Sequence, residues 1–121
     1  IFATIDFMPT FASLCGFNVP DDRKIDGVDQ TNLLLGKSEK GRETFYFDRA
    51  GIRKGKWKYL KADAHFYGYA REDSRPKEEE LYNLEKDLEE KNNLAKKHPK
   101  ILAELRKLTE SMPKDGPGGI H

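Results

Sequence analysis

The chain has 121 residues, of which 36% are hydrophobic and 36% are charged, so we expect one modest domain, or part of one, with a thin core and a well-solvated surface. Its 22 basic and 21 acidic residues give a formal net charge of +1, which argues against nonspecific electrostatic binding to nucleic acid or to an anionic membrane. No apolar run approaches the roughly 18 residues that a membrane-spanning helix needs. The single cysteine, Cys15, cannot form an internal disulfide.

The first predicted element is a short helix over residues 5–15. Apolar residues recur there at helical spacing, Gly16 suits the position just after a helix, and Asp6 or Thr4 could cap the start. This segment is strongly apolar. Its apolar side chains would either pack on the rest of the chain or form an exposed hydrophobic surface that contacts a larger domain, and both alternatives stay open. Because the chain begins at Ile1 without an initiator methionine or a leader pattern, we expect a piece of a longer protein.

The middle of the chain predicts turns and short strands. A loop is predicted over residues 17–29, followed by one or two helical turns that end at Gly36. Closely spaced aromatic and β-branched runs, separated by turn residues, favour antiparallel hairpins. The predicted strands cover residues 44–48, 52–53, 57–61 and 81–84.

The clearest helix is predicted over residues 99–112. Its apolar residues form one stripe, Pro99 suits the first turn, and Pro113 follows the end. Residues 113–121 contain three glycines and are predicted to be a flexible tail. The order of elements predicts an α+β fold: a small antiparallel sheet of about four strands packed against a C-terminal amphipathic helix, with a short N-terminal helix.

Four short motifs follow one another along the chain. They are Asp6-Phe7-Met8-Pro9-Thr10, Asp26-Gly27-Val28, Arg53-Lys54-Gly55-Lys56-Trp57-Lys58-Tyr59 and Glu80-Leu81-Tyr82-Asn83-Leu84. In this order they resemble the C-terminal region of type I, formylglycine-dependent sulfatases of the arylsulfatase kind, in the alkaline phosphatase superfamily. The resemblance covers nearly the whole chain. Asn83 stands where the family usually has Asp. The motif that contains Asn83 leads into a turn segment, Asp87-Leu88-Glu89-Glu90-Lys91-Asn92-Asn93-Leu94-Ala95, in which Leu88 stands where the family usually has Pro.

The resemblance implies that residues 1–36 end a sulfatase catalytic domain and that residues 37–112 form a C-terminal subdomain. The implied partner is the upstream catalytic domain of the same protein, with a calcium ion and a formylglycine made from a Cys/Ser-x-Pro-x-Arg motif. This chain lacks that motif, because Cys15 is followed by Gly16-Phe17-Asn18-Val19. We therefore expect Cys15 to be a buried helix residue, and we expect no catalytic residue, cofactor or metal ligand in this chain.

The long insertion over residues 62–79 holds the candidate substrate-binding residues. Arginine and histidine can pair with sulfate or carboxylate groups, aromatic rings can stack on sugars, and long loops on rigid scaffolds often carry recognition. The alternative is a surface loop whose aromatic rings cover the sheet. The candidates are His65, Tyr67, Arg71 and Arg75.

Two charged clusters, one basic and one acidic, can be interpreted as solvated surface. The basic residues around the predicted hairpin turn could steer a polyanionic glycan, although a solvated hairpin is the simpler interpretation. These residues are Arg53, Lys54, Lys56 and Lys58. The acidic run at residues 78–80 is interpreted as a solvated surface.

The sequence therefore favours the C-terminal subdomain of a sulfuric ester hydrolase that acts on sulfated carbohydrate. Its role would be to brace the catalytic domain and to line part of the substrate cleft. Two alternatives stay open: the tail of a related phosphodiesterase or phosphonate hydrolase, and a stand-alone module that binds anionic glycans. By resemblance, the parent protein would be secreted, periplasmic or lysosomal.

Overall fold

The computed structural model describes residues 1–64 and 76–112, and these fall into two compact units. Within the described residues, unit 1 is Ile1–Glu43 and unit 2 comprises residues 44–64 and 76–112. The predicted flexible tail, residues 113–121, lies outside the described residues, as does most of the insertion.

Unit 1 contains two short helices, α1 at Phe7–Leu14 and α2 at Thr31–Leu34. A 3-10 turn, Thr4–Asp6, leads into α1. Both helices are followed by glycines with a left-handed backbone, Gly16 (φ 73°) after α1 and Gly36 (φ 66°) after α2. Glycine adopts this conformation without strain, so the predicted positions of the two helix ends are confirmed.

Unit 2 is built on a four-stranded antiparallel sheet with strand order β1-β2-β3-β4. The strands are Thr44–Tyr46, Gly51–Lys54, Trp57–Leu60 and Glu80–Asn83. Gly55 takes a left-handed conformation (φ 54°) at the tight turn between β2 and β3. The predicted α+β fold with a four-stranded antiparallel sheet is confirmed.

The first strand is shorter than its aromatic run predicts. β1 ends at Tyr46, and a 3-10 turn, Asp48–Ala50, replaces the predicted end of the strand. Asp48 has a left-handed backbone (φ 51°), and the Phe47 N–H donates to the Gly51 carbonyl at 2.9 Å. The chain thus reverses direction early, because this hydrogen bond closes the hairpin before the aromatic run has finished.

The C-terminal helix, α3, is Pro99–Glu110 and packs on one face of the sheet. That face carries Ile52, Tyr59 and Leu81, which lie opposite one another across β2, β3 and β4 and are at most 1% exposed. Leu105 of α3 is 2% exposed and belongs to the same core cluster. Burial of side chains of this size stabilises a fold by about 1.5–3 kcal/mol each, so this layer supplies much of the stability of unit 2.

Gly51 lies where β2 passes very close to β3. A Cβ at this position would be 2.2 Å from the Tyr59 carbonyl oxygen and 3.0 Å from Leu60 Cδ2. Because the nearer obstacle is backbone, we expect Gly51→Ala to lower the free energy of unfolding of unit 2 by about 1–3 kcal/mol. Denaturant unfolding followed by the fluorescence of Trp57, the only tryptophan, measures this change. A loss no larger than that of Lys56→Ala, at an exposed turn residue, would contradict the close approach.

Candidate functional site

The candidate substrate-binding residues lie outside the described residues, so their role stays a prediction. They are His65, Tyr67, Arg71 and Arg75. The structure does describe the two ends of the insertion, where the Asp63 N–H donates to the Pro76 carbonyl at 2.8 Å. Ala64 and Pro76 are both buried. The insertion therefore leaves and rejoins unit 2 at neighbouring, firmly packed positions.

Glu79, just before β4, is fixed by three side chains. Its Oε1 accepts hydrogen bonds from Tyr59 Oη and from Arg106 Nε, both at 2.7 Å, and Arg106 Nη2 binds the other oxygen. Asn93 Nδ2 donates to the Glu79 carbonyl at 3.1 Å. The Arg106 hydrogen bond lowers the pKa of Glu79, while burial and then Glu79 raise the pKa of Tyr59. These hydrogen bonds connect Glu79, at the C-terminal end of the insertion, to β3 through Tyr59 and to α3 through Arg106.

The basic residues around the turn between β2 and β3 do not all lie on the same face of the sheet. Each of the three lysines forms an ion pair with a carboxylate. The pairs are Lys54–Glu104 at 2.8 Å, Lys56–Glu85 at 3.8 Å and Lys58–Glu90 at 2.6 Å. Arg53 differs, because within the described residues it forms no ion pair and its Nε donates to the Gly55 carbonyl at 3.2 Å. Within the described residues, each of the three lysines therefore has a carboxylate partner, whereas Arg53 has none.

Unit 1 exposes large apolar side chains along α1 and just beyond it. Phe7 and Phe11, one helical turn apart, are 44% and 52% exposed and stack with ring centroids 5.4 Å apart. We define the α1 apolar surface as Ile5, Phe7, Met8, Phe11, Leu14 and Phe17, all exposed. A cavity of about 310 Å³ adjoins it, lined by Met8, Val19, Pro20, Arg23 and Ile25. The opposite side of α1 packs within unit 1, where Pro9 and Thr10 are buried.

A buried ion pair organises the interior of unit 1. Asp6 is fully buried, and its carboxylate accepts hydrogen bonds from the Val28 N–H at 2.9 Å and the Ala3 N–H at 3.0 Å. Arg42 binds the same carboxylate through Nε, at 3.1 Å, and through Nη2, which also donates to the Asp26 carbonyl at 2.7 Å. Burial alone would raise the pKa of Asp6, but these donors outweigh it and hold the pKa well below its usual range. With both oxygens occupied, Asp6 is structural.

Cys15 is exposed, so the expectation of a buried helix residue is wrong. It follows the last residue of α1, and α1 buries only Pro9 and Thr10, which leaves Cys15 outside the packed side of the helix. Among residues 1–64 and 76–112, no three His, Cys, Asp or Glu side chains are grouped to hold a metal ion. Within the same described ranges, no helix has the length and apolar character that crossing a bilayer requires.

Known proteins resemble this chain over most of its length, although no protein-family model matches it. The chain is 35% identical over 119 residues to an N-acetylgalactosamine-6-O-sulfatase from Bacteroides thetaiotaomicron. This match covers 93% of the chain and 23% of that relative.

Solved structures agree with the sequence match. A structure described with the metabolism of multiple glycosaminoglycans by Bacteroides thetaiotaomicron gives a TM-score of 0.67 at 35% identity, covering 88% of the chain and 24% of that structure. A 2-O GAG sulfatase gives a TM-score of 0.58 at 29% identity, covering 87% of the chain and 23% of that structure. The chain spans about a quarter of the length of these proteins, in their C-terminal portion.

Proposed function

This chain belongs to the sulfatase family and corresponds to the C-terminal region of those enzymes, and we propose that it braces the catalytic domain of a sulfuric ester hydrolase that acts on sulfated carbohydrate. Residues 1–36 would complete the catalytic domain, and residues 37–112 would form the C-terminal subdomain. The catalytic residues would lie in the portion of the enzyme that this chain does not span.

The α1 apolar surface is the observation that carries this proposal. Each of its six side chains is at least 43% exposed, and contiguous exposed apolar surface is typical of a contact with another protein surface. Phe7 and Phe11 are already stacked, so ordering them at a contact costs little side-chain entropy. The occupant we propose is the upstream portion of the same enzyme, since about three quarters of the matched relative lies outside the similarity.

Sulfated carbohydrate is the proposed substrate class because one relative is named an N-acetylgalactosamine-6-O-sulfatase and another a 2-O GAG sulfatase. We propose that the insertion lines part of the substrate cleft, since arginine and histidine can pair with sulfate oxygens. The proposed contact residues are His65, Tyr67, Arg71 and Arg75. The closed base at Asp63 and Pro76 supports this role, because recognition loops depend on a rigid scaffold.

The cofactors of the proposed enzyme belong to its catalytic domain. A calcium ion would supply positive charge to the sulfate oxygens and formylglycine a nucleophile, as the family resemblance implies. In this proposal, the described residues of the present chain hold neither group. The same resemblance leads us to propose a secreted, periplasmic or lysosomal enzyme.

The bracing role can be tested by producing the parent enzyme as two polypeptides, its upstream portion and this chain. We expect the two to associate, and we expect Phe11→Asp to weaken the association about tenfold or more, because a charge would replace a ring that is buried at the contact. The matched control is Leu88→Asp, at a side chain of unit 2 that is 81% exposed. Isothermal titration calorimetry measures both dissociation constants.

Two results would contradict the proposal. Absent association, or equal losses for Phe11→Asp and Leu88→Asp, would show that the α1 apolar surface is not the contact. The activity has its own test, which is hydrolysis of 6-O-sulfated N-acetylgalactosamine by the reconstituted pair. An upstream portion that lacks a Cys/Ser-x-Pro-x-Arg segment would overturn the sulfatase activity while leaving the contact intact.

A further inference from the structure

One face of the sheet in unit 2 carries a row of side chains that the bracing role does not use. The strand register places Phe45 opposite Arg53, Arg53 opposite Lys58, and Lys58 opposite Tyr82. Residues directly opposite one another share a face, and Ile52, the neighbour of Arg53 in β2, packs in the core with α3. The row therefore crosses the whole sheet on the face away from α3.

The centre of this row sets two cations side by side on a partly buried surface. Directly opposed like charges destabilise a sheet, so each cation needs compensation. The charge of Lys58 is compensated, because its Nζ lies 2.6 Å from a Glu90 carboxylate oxygen and 5.5 Å from the centroid of the Phe47 ring. Arg53 is partly buried too, yet within the described residues its one hydrogen bond is from Nε to the Gly55 carbonyl. The guanidinium therefore keeps its two Nη groups available for an anion.

The surroundings of Arg53 favour a sulfated sugar as that anion. A guanidinium offers paired donors that match the oxygens of sulfate, and Phe45 beside it offers an aromatic face to a sugar ring. Phe45 is held in an edge contact with Phe47, with ring centroids 5.3 Å apart. An apolar protein partner fits less well, because in the described part of unit 2 the large hydrophobic side chain that is exposed is Leu88, which lies in the loop after β4.

We propose that Arg53 forms a subsite for a sulfate group of the glycan and that Phe45 packs on the sugar that carries this group. The subsite rests on the proposed function for its ligand class, and it adds a contact on the sheet to those proposed for the insertion. Lys58, opposite Arg53, keeps Glu90 as its partner and is not part of the proposed subsite.

Binding of a chondroitin 6-sulfate hexasaccharide to the 121-residue chain tests this subsite, with a hyaluronan hexasaccharide as the unsulfated comparison. We expect the sulfated sugar to bind and Arg53→Gln to raise its dissociation constant about tenfold, because charge-assisted hydrogen bonds are lost. Lys56→Gln removes the same charge from an exposed turn residue and is expected to change the constant by about twofold or less. Calorimetry measures the dissociation constants of the wild type and the two variants, and thermal melts check that each of the three proteins is folded.

The other outcomes overturn the subsite. Equal losses for Arg53→Gln and Lys56→Gln would indicate general attraction between charges, and equal binding of hyaluronan would indicate recognition of a carboxylate. No binding, or an unchanged constant in Arg53→Gln, would leave a protein surface as the partner of this face. If Arg53→Gln fails to fold, Arg53→Lys keeps the charge but loses the paired donors, and it must still bind more weakly than the wild type. None of these measurements depends on the upstream portion, so the subsite and the bracing role can fail separately.

Discussion

Leu105→Asp is expected to unfold unit 2. Leu105 is 2% exposed and packs in one cluster with Ile52, Tyr59 and Leu81. Loss of the leucine side chain alone costs about 2–5 kcal/mol, and an ionised carboxylate without a partner in this layer adds a further penalty. The total is comparable with the whole stability of a small domain, about 5–15 kcal/mol. Far-ultraviolet circular dichroism and the fluorescence of Trp57, which packs against the same cluster, measure the loss.

Leu88→Asp is the matched control for this substitution. It makes the same chemical change in the same unit, at a side chain that is 81% exposed, and is expected to alter stability by about 0.5 kcal/mol or less. A Leu105→Asp protein with the melting temperature of the wild type would mean that α3 does not pack on this face of the sheet. Equal losses from the two substitutions would mean that burial does not determine the effect.

The elements around Leu105 could be predicted because their sequence signals are local. The apolar stripe of α3 repeats at helical spacing, and β3 alternates so that Trp57 and Tyr59 lie on the α3 side while Lys58 lies on the other. Gly55 marks the hairpin turn between β2 and β3. Each signal spans only a few residues, so it needs no information about tertiary packing.

The ion-pair networks could not be predicted in this way. The acidic run at residues 78–80 looks like a solvated surface, yet Glu79 is bound by Arg106, 27 positions later in the chain. Asp6 occupies the N-cap position of α1, as the sequence suggests, but makes no capping bond there and binds Arg42, 36 positions away. Pairs at such separations depend on how elements pack, and one sequence carries no periodic signal for them.

The proposed subsite shows the same division between local and distant information. In the sequence, the basic residues of the hairpin form one cluster, and strand alternation predicts only that Arg53 and Lys54 lie on opposite faces. Which cation is neutralised depends on distant carboxylates, since Lys54 pairs with Glu104, 50 positions later. The unpaired state of Arg53 within the described residues therefore became visible only in the structure.

Asp6→Asn is expected to destabilise unit 1 by about 3–5 kcal/mol, because breaking a buried ion pair leaves the partner charge uncompensated. The side chain of Arg42 is 13% exposed and would lose the carboxylate that it binds through two nitrogens. The new amide also brings an NH₂ group, which cannot accept the hydrogen bond of Ala3 or Val28. Unit 1 has no tryptophan, so hydrogen exchange at the Val28 and Ala3 amides is the measurement.

The same ion pair should make unit 1 sensitive to acid. The native pKa of Asp6 is held well below its usual range, so the pair stabilises unit 1 above the unfolded-state pKa of an aspartate, which is about 4. This contribution is lost progressively as the pH falls from there through the native pKa. Asp6→Asn removes the titrating group. The acid-induced loss of protection from hydrogen exchange at the Val28 amide, relative to its intrinsic exchange rate, should therefore be smaller in that variant.

Asp22→Asn is the control, because Asp22 lies in the same unit, is 66% exposed and faces Arg23 at 3.4 Å. It is expected to leave exchange at Val28 unchanged, and equal effects of the two variants would contradict the role of the buried pair. The Asp6 carboxylate connects the start of α1 to the loop that carries Val28, and α1 carries the apolar surface proposed to meet the upstream portion. Asp6→Asn should therefore also weaken association with that portion, although Asp6 is buried and cannot itself contribute to the contact.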